Sequence, residues 1–180
     1  MPRAVRRRPG SPRTRGAVVS AAAVVAASVV SLVVSGCSAG PVEIDAPSLS
    51  AADAAACRRL VADLPATMAG QQARTVSPDG APGAAWGDPA ITLTCGVGRP
   101  AGFTDTSTCI QVDRAGWYVP DEVLLSPDET LDVTMTELNH RPRVRVVVPG
   151  GYRPDGFTDT AAAVAKVIDR DLRRVGRCRT

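Results

Sequence analysis

The chain has 180 residues and a formal net charge of +3, yet six of its 21 basic residues and none of its 18 acids lie in the first 36 positions. Beyond them the balance is 15 basic against 18 acidic residues, about −3, so the basic character belongs to the leader and gives no case for nucleic-acid binding. Six aromatics and one His leave a core that must rest on Val, Leu, Ile and Ala, with little imidazole chemistry to draw on.

Residues 1–16 carry Arg3, Arg6, Arg7, Arg8, Arg13 and Arg15, and residues 17–34 contain only Ala, Val, Ser and one Leu. A basic head, an apolar middle and small residues at a cut are the three parts of a secretory signal. Val34-Ser35-Gly36-Cys37 closes the run and reads as a lipobox, which predicts cleavage before Cys37 and lipid attachment on its thiol. The expected organisation is a lipoprotein-type signal peptide over 1–36, a lipidated tether over 37–49 and one domain over 50–180. Such a protein would sit on the extracytoplasmic face of the cell membrane, held by its lipid. The alternative is an uncleaved anchor helix in which Cys37 is incidental. Arg6-Arg7-Arg8 is followed by Pro9-Gly10 rather than by apolar residues, which favours Sec over twin-arginine export.

Within the tether, Val42-Glu43-Ile44 alternates like a short edge strand. Ser50-Ala51-Ala52-Asp53 then sets a helix start, with a hydroxyl at the cap and an acid three residues on. The helix runs to Leu64, where Pro65 stops it, and Cys57, Leu60, Val61 and Leu64 share one apolar face. Residues 66–85 are rich in Gly, Pro and Gln without a period, which predicts a long surface loop. Trp86-Gly87-Asp88-Pro89 makes a turn. Residues 91–95 form a strand with Ile91, Leu93 and Cys95 inward, ended by Gly96.

Several of these segments carry a resemblance. Ala56-Cys57-Arg58-Arg59-Leu60, Leu64-Pro65, the run Ala85-Trp86-Gly87-Asp88-Pro89-Ala90-Ile91-Thr92-Leu93-Thr94-Cys95-Gly96 and Arg99-Pro100 resemble an actinobacterial envelope family, the domain of unknown function 3515. Gly116-Trp117-Tyr118-Val119-Pro120 is similar to that family's Trp-containing segment. The resemblance covers most of residues 42–170. It implies secretion or lipidation and a small α+β domain, and it implies no activity.

Residues 109–113 and 117–119 flank Arg114-Ala115-Gly116 as a hairpin, with Ile110 and Val112 on one face and Cys109 on the other. Residues 120–130 form an acidic loop holding Asp121, Glu122, Asp128 and Glu129. Val133 and Met135 alternate with Asp132, Thr134 and Thr136; Asn139-His140-Arg141-Pro142 turns the chain; Val144, Val146 and Val148 return it. The outer face of this second hairpin carries Thr134, Thr136, Arg143 and Arg145. A second helix is predicted over 160–175, with Val164, Val167, Ile168, Leu172 and Val175 as its stripe. Asp159 at its amino end and Arg170, Arg173 and Arg174 at its carboxyl end suit the macrodipole, and Gly176 caps it just before Cys178. The expected fold class is α+β: a small antiparallel sheet of about five strands with two helices packed on one face, stapled by disulfides. Arg99-Pro100-Ala101-Gly102-Phe103-Thr104-Asp105-Thr106 nearly repeats from Arg153 to Thr160 and reads as two similar turn-and-cap solutions.

Without Cys37, four cysteines remain for an oxidising compartment, which predicts two disulfides. Four cysteines allow three pairings; the preferred one joins Cys57 to Cys95, which face the same core, and Cys109 to Cys178. No Cys-x-x-Cys occurs, which counts against a redox motif or a zinc site. His140 reads as a turn residue rather than a general base. Lys166 has Ala163 where a Ser-x-x-Lys nucleophile needs its Ser, and residues 121–132 lack calcium-loop spacing. No catalytic residue, metal ligand or cofactor is assigned.

Arg141, Arg143 and Arg145 alternate along one strand, either as a solvated sheet face or as a grip on an anionic envelope polymer. Trp86, Trp117 and Tyr118 are either core or a binding platform, and a chain with so few aromatics needs them in its core. Arg143, Arg145 and Trp117 are the candidate ligand-facing residues. The functional expectation is a non-catalytic envelope lipoprotein, in contact with the membrane through its anchor and with an envelope protein or ligand through its sheet face. The alternatives are an envelope hydrolase or transferase using an acid of the 121–132 loop with Arg143 or Arg145, and a structural subunit of an envelope complex.

Overall fold

The computed structural model describes residues 40–178; the basic leader, the lipobox and Cys37 lie outside the described residues. The chain runs β1 (Val42–Glu43), α1 (Ala51–Ala62), β2 (Thr67–Met68), β3 (Gln71–Arg74), β4 (Val76–Ser77), β5 (Gly83–Trp86), β6 (Ile91–Val97), β7 (Ile110–Val112), β8 (Ala115–Tyr118) and a single helical turn α2 (Asp121–Leu124). It continues through β9 (Val133–Glu137), β10 (His140–Arg141), β11 (Arg143–Val148), a 3-10 turn at Gly150–Tyr152, α3 (Asp155–Asp171) and β12 (Arg173–Arg174).

Ser50 starts α1 as its sequence context dictates: its Oγ accepts the Asp53 amide at 3.1 Å and its hydroxyl donates to the Asp53 carboxylate at 2.9 Å. Cys57 and Leu60 bury from this helix, while Val61 and Leu64 are only partly covered. The residues before it are no free tether. β1 pairs in parallel with β4, and Ile44 is buried, so residues 42–44 pack onto the rest of the domain.

The sheet has eight strands rather than five, in the order β2-β3-β5-β6-β11-β9-β8-β7, and every neighbouring pair is antiparallel. The three extra strands come from residues expected to form a loop. Ala73 lies opposite Trp86 and Ala85 opposite Thr92, so Gln-, Ala- and Gly-rich segments of weak β propensity are extended because a ladder partner receives them. Gly96 does not end β6. It is the extra residue of a bulge, for Val97 faces Arg143 and Cys95 faces Val144, and its φ of +90° suits only Gly there.

After β6 the chain leaves the middle of the sheet, re-enters at the far edge as β7, and steps back through β8 and β9 until β11 lies beside β6. The crossing segment, residues 98–109, passes over the outer face of the sheet, where Phe103 meets Tyr118 edge-on at 5.2 Å. That cover accounts for the burial of Thr136, and Ile44 lies over Gly83 beside Thr94, so both threonines are buried although they point away from the main core. On the inner face Ile91, Leu93, Trp117, Val133, Met135, Val144, Val146 and Val148 pack under α1 and α3.

α3 starts and stops earlier than its apolar period suggested. Gly156 allows its first turn to lie directly on Tyr152, so Asp159 sits inside the helix. Leu172 is its C-cap, and the chain then turns away because the Asn139 carbonyl accepts the Val175 amide at 2.8 Å and β12 pairs with β10. Arg173 and Arg174 are therefore strand residues, Gly176 is no helix cap, and Val175 is 42% exposed rather than part of the buried stripe. Two disulfides staple these layers. Cys57–Cys95 joins α1 to β6 with Cα atoms 5.6 Å apart, and Cys109–Cys178 ties the end of the crossing segment to the chain's end at 5.8 Å.

Candidate functional site

Strand parity separates the expected ligand-facing residues. Tyr118 lies opposite Thr136 on the outer face, so Trp117 points inward, opposite Glu137. Trp117 is 0% exposed and faces no ligand; its indole fills the core that the chain's few aromatics must supply. Trp86 is equally buried and donates its Nε1–H to the Pro65 carbonyl at 3.0 Å. Arg143 and Arg145 do point outward, but the crossing segment divides the face between them. Arg145 lines a cleft with Tyr118, Thr134 and Thr136. Arg143 lines a different one, of ≈ 380 Å³, between the crossing segment and the C-terminal strap of residues 172–178.

The second cleft is strongly basic. Arg99, Arg141, Arg143 and Arg177 line it against a single acid, Asp105. Asp105 is already engaged, with Arg99 at 3.0 Å, and the Arg99 guanidinium sits 4.9 Å from the centre of the Phe103 ring. Arg141 donates from Nη1 to the His140 carbonyl at 2.9 Å. Arg143 Nε is buried with no acceptor. Among the described residues Arg141, Arg143 and Arg177 take part in no ion pair. Burial, then the charges of Arg141 and Arg99, push the Arg143 guanidinium below the usual arginine range, with Glu137 opposing from behind.

One buried carboxylate fixes the backbone behind this cleft. Glu137 Oε1 accepts the amides of Gly116 at 3.1 Å and Asn139 at 2.9 Å, and Oε2 accepts the His140 amide at 3.0 Å. His140 Nδ1 lies 3.0 Å from the same carboxylate. His140 lies where the chain turns from β9 to β11. It is buried, and its Nε2 lies 3.8 Å from Asp169 without a hydrogen bond. Asn139, fixed by Glu137, holds the strap: its carbonyl takes the Val175 amide and its Oδ1 takes the Cys178 amide at 2.6 Å. Among the described residues no group of three His, Cys, Asp or Glu is placed to hold a metal ion.

The family described as Protein of unknown function (DUF3515) matches the chain over residues 17–172. The chain belongs to this family. No curated protein and no solved structure matches it. In this DUF3515 protein the matched span includes Arg99, Arg141 and Arg143 and ends before Arg177 and Cys178. Sequence reasoning did not single out Glu137, although a signal existed: it continues the inward parity of Val133 and Met135, where an acid demands partners. Arg99 and Arg177 had no such signal, because nothing local brings them beside Arg143.

Tyr118, which lines the Arg145 cleft, has its phenol pushed above the usual tyrosine range by burial, then by Glu122 and Asp121. A raised folded value means that the folded state holds this proton longer. The associated stability is present below the unfolded value of about 10 and is lost as pH rises through the folded one. Tyr118→Phe should therefore flatten the alkaline decline in stability in this DUF3515 protein, as read by urea midpoints measured on both sides of that pH. An unchanged decline would mean that other groups cause it.

Proposed function

We propose that this DUF3515 protein is a lipid-anchored, non-catalytic binding or accessory protein of the cell envelope, working at the extracytoplasmic face of the cell membrane. The basic leader, the apolar run and Val34-Ser35-Gly36-Cys37 support the anchor, and two disulfides suit an oxidising compartment. The observation that carries the binding role is a cleft on the outer sheet face lined by three guanidiniums that, among the described residues, take part in no ion pair. Uncompensated like charges held together on a rigid frame favour any partner that supplies the missing anion.

The test places a photo-crosslinker at Ser107, which lines the cleft, and at Arg58 on the exposed side of α1, in native and Cys37→Ala backgrounds. The native protein should fractionate with membranes and give a discrete adduct from position 107 but not from position 58. The Cys37→Ala form should be released and lose the adduct. Membrane retention of Cys37→Ala would remove the anchor from the proposal, and no adduct at 107 would remove the binding role.

A further inference from the structure

The geometry points to the cleft between residues 98–108 and the C-terminal strap as a phosphate site, in which Arg141, Arg143 and Arg177 hold one phosphate or phosphomonoester group. This rests on the binding role proposed above and gives it a ligand class. Charge balance selects the class. With Arg99 paired to Asp105, the other three guanidiniums take part in no ion pair among the described residues, and only the buried Glu137 acts on Arg143 from behind the cleft. A carboxylate supplies one negative charge, whereas a phosphomonoester supplies about 1.5 to 2, with three acceptor oxygens for guanidinium forks.

The donors are also held ready. Arg143 leaves β11 at the Gly96 bulge, a local twist that re-aims a side chain, and its stem is half-buried. Arg141 is braced by the His140 carbonyl, which Glu137 in turn fixes through the His140 amide. Two of the three guanidiniums therefore lose little freedom on binding, which is where preorganised sites gain affinity. Arg177 lies on the exposed strap, secured one residue on by the Cys109–Cys178 bond. A cleft of ≈ 380 Å³ has room for the organic part of a phosphoester besides the phosphate itself. The same chemistry is offered by the phosphomonoester headgroup of phosphatidic acid and by a free phosphomonoester.

Calorimetric titration of the full chain in phosphatidylcholine nanodiscs with glycerol 3-phosphate and with acetate tests the assignment. Glycerol 3-phosphate should bind saturably and at least about tenfold tighter than acetate, and rising salt should weaken it. Arg143→Gln and Arg141→Gln should each weaken it about tenfold, and Arg58→Gln should not. Arg177→Gln, on an exposed residue, keeps the test sharp should a half-buried variant fold poorly. Equal binding of acetate, no binding, or an equal loss in Arg58→Gln would overturn the phosphate site. Repeating the titration in nanodiscs that contain phosphatidic acid separates the sources: competition identifies the headgroup, and an unchanged affinity identifies a soluble phosphomonoester. An adduct at position 107 without phosphate binding would sink the ligand class and leave the binding role standing.

Discussion

Glu137→Ala is expected to lower the unfolding free energy by about 3–5 kcal/mol, because one buried carboxylate serves several buried donors at once. Three backbone amides, those of Gly116, Asn139 and His140, would lose their acceptor in a region closed to water. Each orphaned donor costs about 1–3 kcal/mol, and partial rearrangement keeps the total below the simple sum. His140 Nδ1 would lose its partner too, and Nε2 already has none. Glu137→Gln should be milder, since one oxygen still accepts while the new NH2 faces donors. Denaturant unfolding of the three proteins reads the series. A loss below about 1 kcal/mol in Glu137→Ala would mean that water or a rearranged loop replaces the carboxylate. Because Asn139 positions the strap, the alanine variant should also loosen the wall of the arginine cleft.

Removing the Cys57–Cys95 bond by a double alanine substitution should cost about 4 kcal/mol at most, the chain-entropy value for closing a loop of this size. The two cysteines are 38 residues apart, and both are buried where α1 meets β6. Domains of ordinary stability have about 5–15 kcal/mol in total, so this single change removes a large share. Most of the effect belongs to the unfolded chain, which becomes less constrained, so the denaturant slope should rise together with the fall in midpoint. A midpoint unchanged in the double variant would show that packing of α1 on β6 suffices without the bond.

Several elements were legible because their signal is local. Ser50 and Asp53 write a helix start in four residues. Ile91, Leu93 and Cys95, and likewise Val144, Val146 and Val148, write strand parity directly, and the structure buries all six. The pairing of Cys57 with Cys95 followed from two such local readings that pointed at one core. Residues 67–86 carry no comparable period, and what extends them is the ladder offered by β6. Trp117 shows the intermediate case: its hairpin was legible, but which side of the hairpin faced the core depended on pairing with β9.

By itself the sequence determined the placement of charge, the two main helices and the inward faces of the central strands, since each depends on residues a few positions apart. The tertiary structure alone decided the strand order, the end of α3, the burial of His140 on Glu137 and the meeting of Arg99, Arg141, Arg143 and Arg177. Those outcomes depend on segments distant in the chain. The crossing of residues 98–109 brings Arg99 over β11, and the Asn139 carbonyl and side chain bring the strap and Arg177 to the same place. A periodic pattern records which face of one element is apolar; it holds no record of which distant element will cover the other face.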